Sequence, residues 1–186
     1  MKRLAEAWLV LVLAVVFSSG LALVHAQLQP RIERNKADDT ERQIPAMVPG
    51  AIRSEAVVVG GQKVYRALDA ASVPVGWVLP ARGQGFADRI ELLIGLDPQV
   101  SLITGLYVLE QKETPGLGDN ITQSWFRERF KGRPVGPPLR AVKRAPANDQ
   151  EIQAITGATI SSESVVGIIN TAVQSFRRAL AEQGVR

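Results

Sequence analysis

Residues 156–162, TGATISS, gather four hydroxyl side chains, Thr156, Thr159, Ser161 and Ser162, around two of the smallest residues, Gly157 and Ala158. A long stretch with apolar residues at helical spacing follows: Val165, Ile168, Ile169, Ala172, Val173, Phe176 and Leu180. The start of a helix exposes unpaired N–H groups at the positive end of its dipole and so favours an anion. Gly157 lets a ligand approach the backbone, Ala158 excludes bulk, and the hydroxyls can donate to phosphate oxygens. Phosphate is therefore the natural ligand for this segment. The same residues also suit an ordinary capped helix start, with Ser161 or Ser162 as N-cap.

Other chemistries are excluded by residue type. The segment lacks the spacing and the Lys of a P-loop, and it is not a G-x-S-x-G elbow. The chain has no Cys and one His, His25, which leaves no thiol chemistry, no disulfide and no imidazole base for a Thr or Ser nucleophile. No catalytic residue and no metal ligand set is assigned. The net charge of +4 comes without a basic block, so no nucleic-acid surface is expected.

The elements that must position the hydroxyl-rich segment are legible in outline. Residues 7–26 contain no Asp, Glu, Lys or Arg and are long enough to cross a hydrocarbon core of about 30 Å. Lys2 and Arg3 precede them, which keeps residues 1–6 in the cytoplasm and exports the remainder. The expectation is a retained single-pass anchor in the inner membrane, with the lipid bilayer as a partner. Residues 27–50 form a charged helical stalk that Pro45 and Pro49 end, and residues 51–186 form a domain on the periplasmic, extracytoplasmic side. The alternative is a signal peptide cleaved after about Ala26, leaving a soluble secreted protein.

Within the domain, residues 56–68 hold two β-rich runs about Gly60-Gly61, a hairpin signal. Residues 74–81 read as another strand. Ile90, Leu92, Ile94 and Leu96 alternate, which predicts a strand with one buried face. Residues 101–111 supply its antiparallel partner, with Leu102, Thr104, Leu106, Val108 and Glu110 on one face and Ile103, Tyr107 and Leu109 on the other. Residues 121–132 read as a short helix closed by Gly132, with Trp77, Trp125 and Phe126 as core aromatics. One short strand follows the prolines at 134, 137 and 138. Antiparallel strands with helices appended make an α+β domain with a mainly antiparallel twisted sheet and flanking helices.

The TGATISS segment resembles the S/T-G-A-T motif of the FMN-binding domain family, found in the G subunit of the Rnf electron transport complex and the C subunit of the sodium-pumping NADH:quinone reductase. ETPGLGD, residues 113–119, is similar to that family's flavin-side loop, and residues 83–97 and 103–119 match the strand order of the Rnf G subunit. The resemblance covers nearly the whole chain. It implies FMN joined covalently, through its phosphate, to Thr159 by a separate flavin transferase that uses FAD as donor. It also implies flavin contacts from Thr156, Gly157, Ala158, Ser161 and Ser162, and from Glu113, Thr114, Gly116, Leu117, Gly118 and Phe86. Leu117 and Phe86 would pack against the ring, Glu113 and Thr114 would meet its edge, and Lys112 is a candidate to face ring or phosphate.

One position departs from the pattern: the family's motif usually begins with Asp six residues before the acceptor Thr, and Gln153 stands there. The implied activity is electron transfer within a complex that couples ferredoxin and NAD to movement of Na+ or H+, with other membrane and peripheral subunits as partners. A membrane-anchored FMN-binding sensor or scaffold, with noncovalent or no flavin, is the alternative.

Overall fold

The computed structural model describes residues 2–184. It divides into two units, one ending at Asp39 and one beginning at Thr40. Helix α1, Lys2–Met47, carries the first unit and extends into the second. Residues 8–28 of α1 present their large apolar side chains without protein around them. Among the described residues this is the one helix long and apolar enough to cross a membrane. The Ser18 hydroxyl donates back to the Ala14 carbonyl, which satisfies it within the helix. Pro45 does not end α1. The helix runs on to Met47 and the turn is made at Gly50, where φ is +85°.

The second unit is built on a five-stranded antiparallel meander in the order β1-β2-β3-β4-β5. Its strands are β1 Arg53–Val59, β2 Gln62–Leu68, β3 Pro74–Gln84, β4 Arg89–Leu96 and β5 Ile103–Glu110. The hairpin forms as the sequence predicts: Val59 pairs with Gln62, and Gly60 and Gly61 turn the chain with φ of +56° and +77°. Positive φ at both central residues gives a two-residue turn whose twist matches the strands it joins.

The strand β4 is buried on both faces rather than one. Ile90, Leu92, Ile94 and Leu96 lie in a core under helix α3, Thr159–Gln183, which contributes Val165, Ile169, Val173 and Phe176. Leu93, on the opposite face, joins Ile44 and Met47 from the end of α1 and Val48 just after it, with Tyr65, Ala67 and Val78. Each fully buried aliphatic or aromatic side chain contributes about 1.5–3 kcal/mol. A sheet covered on one side only would forgo the second cluster.

The end of α1 comes so close because three adjacent strands carry glycine beneath it. A Cβ at Gly105 would lie 2.8 Å from Met47 Cα, one at Gly95 2.9 Å from the Met47 carbonyl oxygen, and one at Gly76 2.7 Å from a Val48 methyl. The three form a trough for Met47 and Val48.

The alternation expected along β5 is interrupted. Leu96 pairs with Ile103 but Gly95 pairs with Gly105, so Thr104 is an extra residue. The bulge turns Ile103 to the same core as Leu106 and Val108 and leaves Leu102 exposed. The β4–β5 connection is held by Asp97, whose carboxylate accepts from the Ser101 N–H at 2.6 Å, the Ser101 hydroxyl at 2.6 Å and the Leu102 N–H at 2.8 Å.

The expected helix at 121–132 is broken into the four-residue α2, Ser124–Arg127, between two 3₁₀ turns. Phe126 and Phe130 are fully buried and Trp77 stacks edge-on against Phe176 at 5.4 Å. Trp125 is not core: it is 45% exposed, with the Arg129 guanidinium 4.9 Å from its ring. Strand β6, Arg140–Val142, pairs in parallel with β7, Glu151–Gln153, a strand too short for any periodicity to reveal.

Two outcomes follow for the full chain in detergent. Gly105→Val drives a branched side chain into Met47, and thermal unfolding should show a loss of about 1–3 kcal/mol. Asp97→Ala should cost about 1–2 kcal/mol at neutral pH. Partial burial pushes the Asp97 carboxyl up, but hydrogen bonds from Leu102 and Ser101 hold it on balance below the ordinary 3.8. A lowered folded pKa means the stabilisation is complete above about 3.8 and is lost as pH falls through the folded value. The gap between parent and Asp97→Ala should therefore close in acid melts below that pH, and a gap that persists unchanged would contradict the assignment.

Candidate functional site

Four chain segments converge on the amino end of α3. They are the β3–β4 loop (residues 85–88), the loop after β5 (residues 113–118), the residue after β6, and the segment from β7 into α3. The last enters through an Ile155–Ala158 bridge, with the Ala158 N–H on the Ile155 carbonyl at 3.0 Å. Gly157 takes φ of +83° in this turn, and its missing side chain leaves room for Leu117, 3.1 Å from where a Cβ would stand.

The N-cap of α3 is Ala158, not Ser161 or Ser162, and no side chain caps the helix. The two serines lie inside the first turn, buried. Ser162 Oγ donates to the Ala158 carbonyl at 2.9 Å and accepts from the Ile155 N–H at 3.0 Å, clamping the turn to the helix. Ser161 Oγ donates to Glu113 Oε2 at 2.5 Å, and Glu113 Oε1 accepts from the Ala87 N–H at 3.1 Å. Glu113 is 4% exposed. One buried carboxylate thus joins three of the four segments. Gly118 makes room for it, since a Cβ there would fall 2.8 Å from both Glu113 Cβ and Ser161 Oγ.

In front of this strut lies an open cleft of about 390 Å³, within the range of small-molecule sites. It brings together Phe86, Thr114, Leu117, Gly118, Gly157, Ala158, Thr159 and Ser161 from the residues the sequence singles out. Thr156, Ser162, Glu113 and Gly116 do not line it. Glu113 and Ser162 are buried behind its wall, and the bonds of Glu113 to Ser161 and Ala87 brace the cleft. Ile160 and Lys143 also line it, beyond the residues the motifs point to. Ile160 adjoins Thr159 but lies off the apolar face of α3, so the helix period gives no signal for it. Lys143 belongs to a loop whose path only the β6–β7 pairing reveals. Lys112 is turned elsewhere and pairs with Asp88 at 3.4 Å. The Arg89 N–H, and then Lys112, hold the Asp88 carboxyl below its ordinary range.

The four hydroxyls are sorted by burial. Ser161 and Ser162 are engaged internally, and Thr156 is exposed outside the cleft. Thr159, the first residue of α3, lines the cleft with no hydrogen bond to its hydroxyl among the described residues. The N–H groups of Thr159, Ile160 and Ser161 stand ahead of the first intrahelical bond, from Ser162 N–H to the Ala158 carbonyl. Phe86, Leu117 and Ile160 offer apolar surface, at 59%, 46% and 54% exposure. Half-exposed apolar side chains beside a helix start and a cation fit a ligand that is flat and apolar at one end and anionic at the other. FMN has that character. No carboxylate or imidazole among the described residues lines the cleft, so it offers no general acid–base pair.

The FMN-binding domain family matches residues 85–174, which span the cleft from the β3–β4 loop into α3. The G subunit of the ion-translocating oxidoreductase complex of Methanosarcina acetivorans is 31% identical, over 87% of this chain and 88% of that one. The G subunit of the proton-translocating ferredoxin:NAD(+) oxidoreductase complex of Clostridium ljungdahlii is 35% identical, over 62% of this chain and 61% of that one. The crystal structure of Shewanella oneidensis NqrC superposes with a TM-score of 0.58 at 21% identity, covering 72% of each chain, and shares the fold.

The strut makes a separable prediction. Glu113→Gln can still accept from Ala87 and can donate to Ser161, so it should cost no more than about 1 kcal/mol. Glu113→Ala leaves both donors unpaired beside a void and should cost about 2–4 kcal/mol. Hydrogen exchange should then quicken in residues 85–88 and 113–118 ahead of the sheet. Equal exchange in the two variants would show that the strut is not what holds these loops.

Proposed function

Because this chain belongs to the family of G subunits of ion-translocating oxidoreductase complexes, and contains its FMN-binding domain, we propose that it is the electron-transfer subunit of an Rnf-type, ferredoxin:NAD complex and carries FMN as a phosphoester on Thr159. The observation that carries the reading is the free Thr159 hydroxyl on a cleft walled by Phe86, Leu117 and Ile160. The other three hydroxyls of the motif are buried in internal bonds or lie outside the cleft.

Thr159 and the first-turn N–H groups of α3 would hold the phosphate, where the helix dipole favours negative charge. Phe86, Leu117 and Ile160 would supply apolar contact to the ring, with Thr114 and Gly118 beside it. Bound FMN supplies the electron-accepting and electron-donating ring, which no side chain here can replace. A separate flavin transferase would join the Thr159 oxygen to the FMN phosphorus of FAD, with AMP as the other product. Glu113 and Ser161 keep the three segments in register, and Ser162 holds the turn that presents Thr159. Residues 7–26 would be the membrane anchor and residues 27–50 the stalk, with the flavin domain, residues 51–186, on the extracytoplasmic side. Neighbouring membrane and peripheral subunits would supply and receive the electrons. A single apolar helix provides no ion path, so ion movement would belong to those subunits.

Gln153, where the family's motif usually has Asp, favours a second reading in which FMN is held without a covalent bond. Its carbonyl is held by Arg129, and this pins the strand leading to Thr159 whichever residue stands there.

Intact-mass measurement of the full chain co-produced with its flavin transferase decides between them. The expected result is an increment of one FMN less one water, absent from Thr159→Ala. An increment that survives Thr159→Ala would sink the assignment. A yellow protein that loses its colour on denaturation would select the noncovalent reading.

A further inference from the structure

We infer that Lys143 is the cation that recognises the ligand's phosphate, so that the cleft selects a phosphorylated flavin over the uncharged riboflavin; this rests on the flavin reading above. Among the described residues, Lys143 is the only charged side chain lining the cleft that holds Thr159. Four other basic side chains, Arg144 next in sequence among them, are engaged. Arg144 forms a two-pronged pair with Glu151 at 2.8 and 2.7 Å, Arg133 pairs with Asp149 at 3.2 Å, Lys112 pairs with Asp88 at 3.4 Å, and Arg129 donates to the Gln153 carbonyl. Lys143 has no acidic partner among the described residues.

Its position is set by backbone pairing. Val142, the residue before it, pairs with Gln153, and the Val142 carbonyl accepts from the Ala154 N–H at 2.8 Å. This bond ties the backbone beside Lys143 to the segment that enters α3 a few residues later. The Arg144–Glu151 pair, with Glu151 also accepting from the Ala147 N–H at 2.7 Å, closes the loop 143–150 on itself. That leaves Lys143 on the cleft side of the loop. Glu113, the buried carboxyl group behind the wall, is already occupied by Ser161 and Ala87.

A phosphate monoester brings close to two negative charges at neutral pH, and a diester brings one. The helix start alone supplies only partial charge. An ammonium supplies a full charge and a charge-assisted hydrogen bond, which solvent screens in part at an exposed site. The lysine therefore contributes the larger share of discrimination between a flavin that carries phosphate and one that does not. An exposed lysine also implies that the discrimination weakens with salt.

The test uses the full chain in detergent, produced without the transferase and titrated with FMN and with riboflavin by flavin fluorescence. The parent should bind FMN at least about tenfold more tightly than riboflavin at low salt, and the ratio should fall as NaCl is raised. Lys143→Gln should remove about tenfold of that ratio and leave riboflavin affinity unchanged, and Lys143→Arg should keep most of it. A parent that binds FMN no better than riboflavin overturns the inference, as does a Lys143→Gln chain with an unaltered ratio. Equal weakening of both flavins would place the lysine on the ring or in the fold, and also overturns it. The Thr159 mass increment is a separate observable: its presence alongside any of the overturning results keeps the flavin reading and removes only the lysine's role.

Discussion

The hydrogen bond between Ser161 and Glu113 is the contact on which the site depends. Phe86, Leu117 and Thr159 come from segments separated by dozens of residues, and nothing local holds any one of them against another. A carboxylate that is 4% exposed is costly to bury, and it persists because both its oxygens receive donors, one from α3 and one from the β3–β4 loop. The dependence runs both ways. Remove the serine hydroxyl and a buried carboxyl oxygen loses its partner; remove the carboxyl group and two donors face a void. The cleft exists because this cost is met at one point.

The sheet makes the strut possible by being stiff on both faces. The core under α3 fixes the direction of that helix, and hence where Ser161 arrives. The cluster around Ile44, Met47 and Val48 fixes the opposite face and is seated in the trough formed by Gly76, Gly95 and Gly105. Bulges at Thr104 and Leu109 let β5 serve both faces while its register against β4 shifts. A strand that simply alternated would have put Ile103 on the wrong side and opened the first core at its edge.

Those bulges also explain where sequence reasoning stops. The Gly60-Gly61 hairpin and α3 are legible because each is specified by its own residues: a positive-φ pair, and a repeat of apolar positions. The S/T-G-A-T and ETPGLGD segments are legible as motifs, and the sheet does bring most of their residues to one cleft. The double burial of β4 is not, since alternation reports one face and Leu93 and Gly95 acquire partners only when residues 44–48 return over the sheet. Glu113 looks like a ligand contact in sequence because a carboxylate in a flavin-side loop is polar and nearby. That it is a brace depends on Ser161, 48 residues away. Lys143 carries no sequence signal because its placement follows from three-residue strands that have no pattern. Pro45 looks like a stop, yet a proline in the last turn removes a single hydrogen bond, and burial of Ile44 and Met47 outweighs that loss.

Within TGATISS, residue type alone cannot separate the hydroxyls, since all four can donate, accept and, with help, be modified. Burial separates them. Ser162 and Ser161 face inward, and each is bound to a group that would be left unsatisfied without it, so neither oxygen can be released to another bond without loosening the helix start. Thr156 is exposed and outside the apolar wall. Thr159 is the one whose hydroxyl has no partner among the described residues and lines the cleft beside the first-turn N–H groups. A β-branched residue at that position also holds χ1 in few states, so the hydroxyl direction is restricted before any ligand arrives. The internal serines and the cleft threonine are therefore one device: the first two make the helix start rigid enough that the third can be presented without a capping partner of its own.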